Sequence, residues 1–90
     1  MKRVHCIISG DVQGVGFRAW VLHIARDKHL VGWVKNREDG AVELVAEGPR
    51  DFLEEFVTVC QHGPEVAWVE HVAATWGEAT KEFIGFEVVY

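Results

Sequence analysis

The stretch Gly10-Asp11-Val12-Gln13-Gly14-Val15-Gly16-Phe17-Arg18 gathers three glycines within seven residues just ahead of an arginine. Glycine adopts positive φ freely, so such a turn can aim consecutive backbone N–H groups inward. A helix starting just beyond adds unpaired amides and the positive end of its dipole. Together these form a concavity suited to an anion about the size of phosphate. Arg18 strengthens the reading, because a cation in the first turn of a helix opposes the macrodipole and calls for compensation. A bound phosphate would supply it through two parallel charge-assisted hydrogen bonds to the guanidinium fork, which lysine cannot reproduce. Glycine spacing by itself leaves a second reading open, in which Gly10, Gly14 and Gly16 shape a tight connection and Arg18 is solvated.

Asn36 is the second candidate. It closes a strand-like run just before Arg37-Glu38-Asp39-Gly40, where asparagine commonly serves turn chemistry. In a split βαβ sheet, however, the end of the second strand lies near the opening turn of the first helix, which would bring Asn36 to Arg18. Other reactive groups point to little. His5, His23, His29, His62 and His71 form no cluster with cysteines or acids at metal-ligand intervals, so neither a metal nor another cofactor is expected. Asp11 beside a bound phosphate would repel it, which predicts an outward, solvated carboxylate. Trp20, Trp33, Trp68 and Trp76 read as core and sheet packing rather than a stacking surface. Cys6 and Cys60 fit buried free thiols or a single bridge.

The elements that would position these groups follow from hydrophobic period. Val4 to Ser9 reads as a buried strand ending at Gly10. From Phe17 the period becomes helical, with Phe17, Trp20, Val21, Ile24 and Ala25 on one side and Arg26, Lys28 and His29 crowding the last turn. Val31 to Asn36 and Ala41 to Glu47 are strand-like runs joined through Asp39-Gly40, a hairpin pair. Gly48-Pro49 opens a second helix whose stripe is Phe52, Leu53, Phe56, Val57 and Cys60, ending near Gln61 before Gly63-Pro64. Ala67 to Thr75 alternates imperfectly, as a bulged strand would, and Phe86, Val88 and Tyr90 mark a last short strand. The order predicts one α+β domain over residues 1–90, a ferredoxin-like split βαβ sandwich. Its antiparallel sheet has four main strands plus a short terminal strand, with two helices on one face. That architecture hosts many activities and does not choose among them.

Composition narrows the partners. With 49% apolar and 26% charged residues, the 90-residue chain has the balance of a soluble globular protein. Its net charge of −5 leaves no basic face for nucleic acid. No run approaches a membrane span, so a soluble cytoplasmic monomer is the expectation, with no membrane partner. A small anionic ligand remains compatible, since amides and one arginine make a local site whatever the net charge.

The segment Gly10 to Arg18 resembles the acylphosphatase signature G-x-V-Q-G-V-x-F-R. Gly32-Trp33-Val34-Lys35-Asn36-Arg37-Glu38-Asp39-Gly40-Ala41-Val42-Glu43 resembles that family's second signature, G-[FYW]-[AV]-[KR]-N-x-x-D-G-x-V-E. Gly63-Pro64 with Ala67, Val69 and Val72 is similar to the family's stretch after the second helix, and Gly85-Phe86-Glu87-Val88 to its last strand. The resemblance implies hydrolysis of small-molecule acyl phosphates. Val12, Gln13, Gly14, Val15, Gly16 and Phe17 would supply phosphate-binding amides, Arg18 would hold the phosphate, and Asn36 would orient the attacking water. Two positions depart from the commonest pattern. His29 stands where Gly often ends the first helix, a cost of about 1 kcal/mol if the backbone is left-handed there, and Ala41 stands where Ser is frequent. The rival reading is a ferredoxin-like module that binds an anion without chemistry.

Overall fold

Alternation along the first strand decides which face of the sheet is covered. In β1 (Lys2–Asp11) Val4, Cys6 and Ile8 are buried, while Arg3, His5 and Ile7 point to the opposite face. The computed structural model describes residues 1–90, in which α1 (Phe17–Asp27), β2 (Val31–Asn36), β3 (Val42–Gly48), α2 (Arg50–His62), β4 (Trp68–Glu78) and β5 (Phe86–Val89) follow. Both helices lie on the Val4/Cys6/Ile8 face. Phe17, Val21 and Ala25 of α1 and Leu53, Phe56, Val57 and Cys60 of α2 join Val34, Val42, Leu44, Ala46 and Phe86 of the sheet in one core. No helix is long and apolar enough to cross a membrane.

The strand order is β4-β1-β3-β2-β5. The first four strands pair antiparallel, as the sequence implies, but β5 runs parallel to β2, so the sheet is mixed. The cause is the route of the chain. Strand β4 finishes with Glu78 opposite Lys2, at the end of the sheet where β2 begins. Residues 79–85 cross along that end, and the next strand can only start where β2 starts. The bulge expected in β4 is present, since Ser9 pairs His71 while Gly10 pairs Val69, leaving Glu70 extra.

Two expected core residues lie outside. Phe52 is 40% exposed, because a helical step of 100° lets only its neighbour Leu53 face the sheet. Trp68 is 68% exposed at the start of an edge strand, with a neighbouring strand on one side only. Cys6 and Cys60 are both buried and free, and burial pushes the Cys6 thiol up to about 12 and that of Cys60 higher still.

The crossover is held by Glu47, a carboxylate only 1% exposed. It accepts hydrogen bonds from the Thr80 N–H (2.9 Å), the Thr80 hydroxyl (3.0 Å), the Lys81 N–H (3.0 Å) and the Arg3 guanidinium (3.3 Å). Burial alone would raise its pKa, but the donors from Thr80 and Lys81, with Arg3, outweigh it and hold the carboxyl below its usual value. At the far end of α1, Leu30 N–H bonds to Ala25 O (2.9 Å) and His29 N–H to Arg26 O (3.1 Å), a Schellman stop. His29 takes the left-handed position, with φ 56°.

Two outcomes follow. A lowered carboxyl stabilises the fold above the unfolded pKa of about 4.3, and that stability is lost as pH falls through the folded value. Glu47→Gln should therefore lower stability at pH 7 and lose less than the parent between about pH 5 and 3, read from urea unfolding across that range. His29→Gly should raise stability by up to about 1 kcal/mol, seen as a higher urea midpoint with an unchanged slope.

Candidate active site

Strands β1, β2 and β5 all end at the same side of the molecule, where α1 begins. Between β1 and α1 the chain turns through residues 12–16, pinned at both ends by apolar burial. Val12 and Phe17 are buried, and Phe17 packs against Trp20 with ring centroids 5.4 Å apart. Between them Gly14 and Gly16 are exposed. Gly14 (φ 77°) and Gly16 (φ 78°) are both left-handed, and a Cβ at either would meet nothing within 4 Å, so backbone conformation rather than space demands glycine. Gly16 is the N-cap of α1 and has no side chain to close the helix. Its carbonyl accepts from Trp20 N–H (3.0 Å), which leaves the amides of the first turn without a capping partner.

These amides border a hollow of about 160 Å³, room for roughly five waters at their liquid volume. Of the residues singled out in the sequence, Val12, Gly14, Gly16, Phe17, Arg18 and Asn36 line it. Gln13 and Val15 do not. Val15 packs on the core, and Gln13 turns away, its Nε2 donating to Arg37 O (2.8 Å) and Ala41 O (2.9 Å). Gln13 thereby ties the turn to the β2–β3 hairpin, whose own Asp39 accepts from Ala41 N–H (3.0 Å), the bond that chiefly lowers the Asp39 pKa. Asn36 immediately precedes that hairpin, one residue before the Arg37 carbonyl that Gln13 binds.

Arg18 is unusual among the five arginines. Arg3, Arg26, Arg37 and Arg50 each have a hydrogen-bond or ion-pair partner, and Arg18 has none. Asn36 ends β2 opposite Val42, and its Oδ1 is the only buried side-chain polar atom in the chain without a partner. Leaving such an acceptor unmet costs about 1–3 kcal/mol. Asp11 is exposed, as expected, and lies outside the hollow. Ala19, Val88 and Tyr90 also line the hollow, and the sequence reading did not include them. Only the direction of β5 would have pointed to the last two.

A ferredoxin-like sheet with a bare helix start, an unpaired guanidinium and an unmet amide oxygen at one end defines a small α+β protein organised around a hollow at that end. The family model described as Acylphosphatase matches residues 4–88. An acylphosphatase from Salinibacter ruber is 47% identical over 97% of this chain and 92% of its own length. One from Roseiflexus is 46% identical over 100% and 97%. The crystal structure of acylphosphatase from Bacillus subtilis, 40% identical and covered in full as is this chain, superposes with a TM-score of 0.96. The chain belongs to the acylphosphatase family, whose function is the hydrolysis of acyl phosphates.

The Gln13 clamp is open to test. Gln13→Leu removes both donors, worth about 1 kcal/mol each, so the amides of the 12–16 turn should exchange faster with deuterium than in the parent while those of β1 stay protected. Unchanged exchange in the turn would show that Gln13 does not hold it.

Proposed function

We propose that this chain cleaves the carboxyl–phosphate anhydride of small acyl phosphates within the hollow, giving carboxylate and inorganic phosphate without a metal ion. The amides of the turn from Val12 to Phe17, together with Arg18, bind the phosphate, and Asn36 places the attacking water. The observation that carries this reading is that Arg18, whose guanidinium has no hydrogen-bond or ion-pair partner, and Asn36, whose buried amide oxygen has none, line the same hollow. One matches an anion and the other matches a water.

The chemistry explains why so few groups suffice. The departing carboxylate has a conjugate acid of pKa about 4, so it leaves at neutral pH without a general acid. The remaining work is to stabilise charge on the three equatorial phosphoryl oxygens and to hold water in line with the leaving oxygen. Preorganised amides and a guanidinium do the first. The Asn36 side-chain amide does the second by hydrogen bonding to the water, leaving a water lone pair free to attack phosphorus. An amide is not basic at neutral pH, so Asn36 orients the water without deprotonating it. All these groups come from one chain, which supports the monomer as the working unit.

Steady-state kinetics on benzoyl phosphate test the assignment. Arg18→Ala should abolish both turnover and inhibition by inorganic phosphate. Asn36→Ala should lower kcat by about 10²–10³ while phosphate still inhibits, and EDTA should leave the parent rate unchanged. A parent chain that binds phosphate yet leaves benzoyl phosphate at its uncatalysed half-life would favour the non-catalytic module instead.

A further inference from the structure

Tyr90 lies outside both signature segments, yet it borders the hollow. The guanidinium carbon of Arg18 sits over its ring, 4.8 Å from the centroid. Parallel pairing explains how the residue arrives there. Lys35 pairs with Val89, and one further step along the two strands sets Tyr90 beside Asn36.

An arginine in the first turn of a helix is long, flexible along its stem and opposed by the dipole. A carboxylate partner would steady it, but would occupy the N–H edge that an anion needs. An aromatic ring holds a guanidinium through its face instead, and the N–H donors in the plane stay free. Tyr90 is the one side chain in the structure that engages Arg18 by charge, and it does so in this manner. We propose that Tyr90 is a positioning residue: its ring holds the Arg18 guanidinium with its donor edge toward the hollow, so that phosphate meets an arginine already oriented. This rests on the assignment of Arg18 to the phosphate.

Two features separate this role from a structural one. Tyr90 is 98% exposed, so its removal takes nothing from the core. Its hydroxyl makes no hydrogen bond within the chain, so the ring alone should be enough.

The test compares Tyr90→Phe and Tyr90→Leu with the parent, using inhibition by inorganic phosphate, KM and kcat for benzoyl phosphate, and melting temperature. Tyr90→Leu should weaken phosphate inhibition and raise KM by about two- to fivefold, the range for an exposed cation–π pair. Its kcat should hold within about twofold, because a ground-state contact is lost as much as a transition-state one. Melting should not move, and Tyr90→Phe should match the parent. A Leu variant with parental phosphate inhibition in an active enzyme overturns the positioning role alone. A Phe variant as weak as Leu overturns the ring as its agent. A parent that neither binds phosphate nor turns over overturns the assignment of Arg18, and this role with it.

Discussion

Strands β1, β2 and β5 run in one direction, and a sheet this small offers one end at which three such strands can deliver side chains to a common place. Strand β1 delivers the turn, β2 delivers Asn36, and β5 delivers Val88 and Tyr90. The direction of β5 depends on the crossover at the opposite end, where one buried carboxylate, Glu47, collects two backbone N–H groups, a hydroxyl and a guanidinium. Burying a charge is costly unless its hydrogen-bonding capacity is filled. Here four donors fill it, and the residues that supply them are fixed in turn. The geometry of the hollow is therefore anchored at the other end of the molecule.

The hollow is lined by the one arginine without a hydrogen-bond or ion-pair partner and by the residue that carries the one buried side-chain polar atom without one. Elsewhere the arginines are paired and buried polar side chains are met. A fold that satisfied Arg18 with an acid and Asn36 with a neighbouring donor would be more stable and would have nothing left for a ligand, the usual tension between stability and function. The clamp from Gln13 and the apolar anchors Val12 and Phe17 keep those unmet groups in place.

The legible parts of the sequence were those governed by local rules. Helical period placed α1 at Phe17, Asp39-Gly40 placed the hairpin, and imperfect alternation showed that the fourth strand could carry a bulge, which falls at Glu70. The mismatch at His29 was also readable, because a left-handed stop is set by a few neighbouring residues. What depends on the path of the chain was not readable. The parallel direction of β5, and with it Tyr90, follows from where residues 79–85 cross. Glu47 looks like an ordinary strand-end acid until that crossing covers it. Phe52 and Trp68 misled because hydrophobicity marks a residue for burial without saying whether a partner surface reaches it. Gln13 was singled out for its backbone amide, and the further work of its side chain, which ties the turn to the hairpin, depends on a neighbour 24 residues away that local spacing does not show.

The two thiols carry a consequence of another kind. Acyl phosphates are acylating agents, and an enzyme that meets them is at risk of being acylated on its own nucleophiles. Burial pushes the Cys6 pKa up to about 12, which keeps it a thiol at neutral pH, and only the thiolate attacks. Cys60 is ionised less still, and both sulfurs lie out of reach beneath the helices. The packing that completes the core thus also shields these two thiols from the reactivity of the compounds the enzyme consumes.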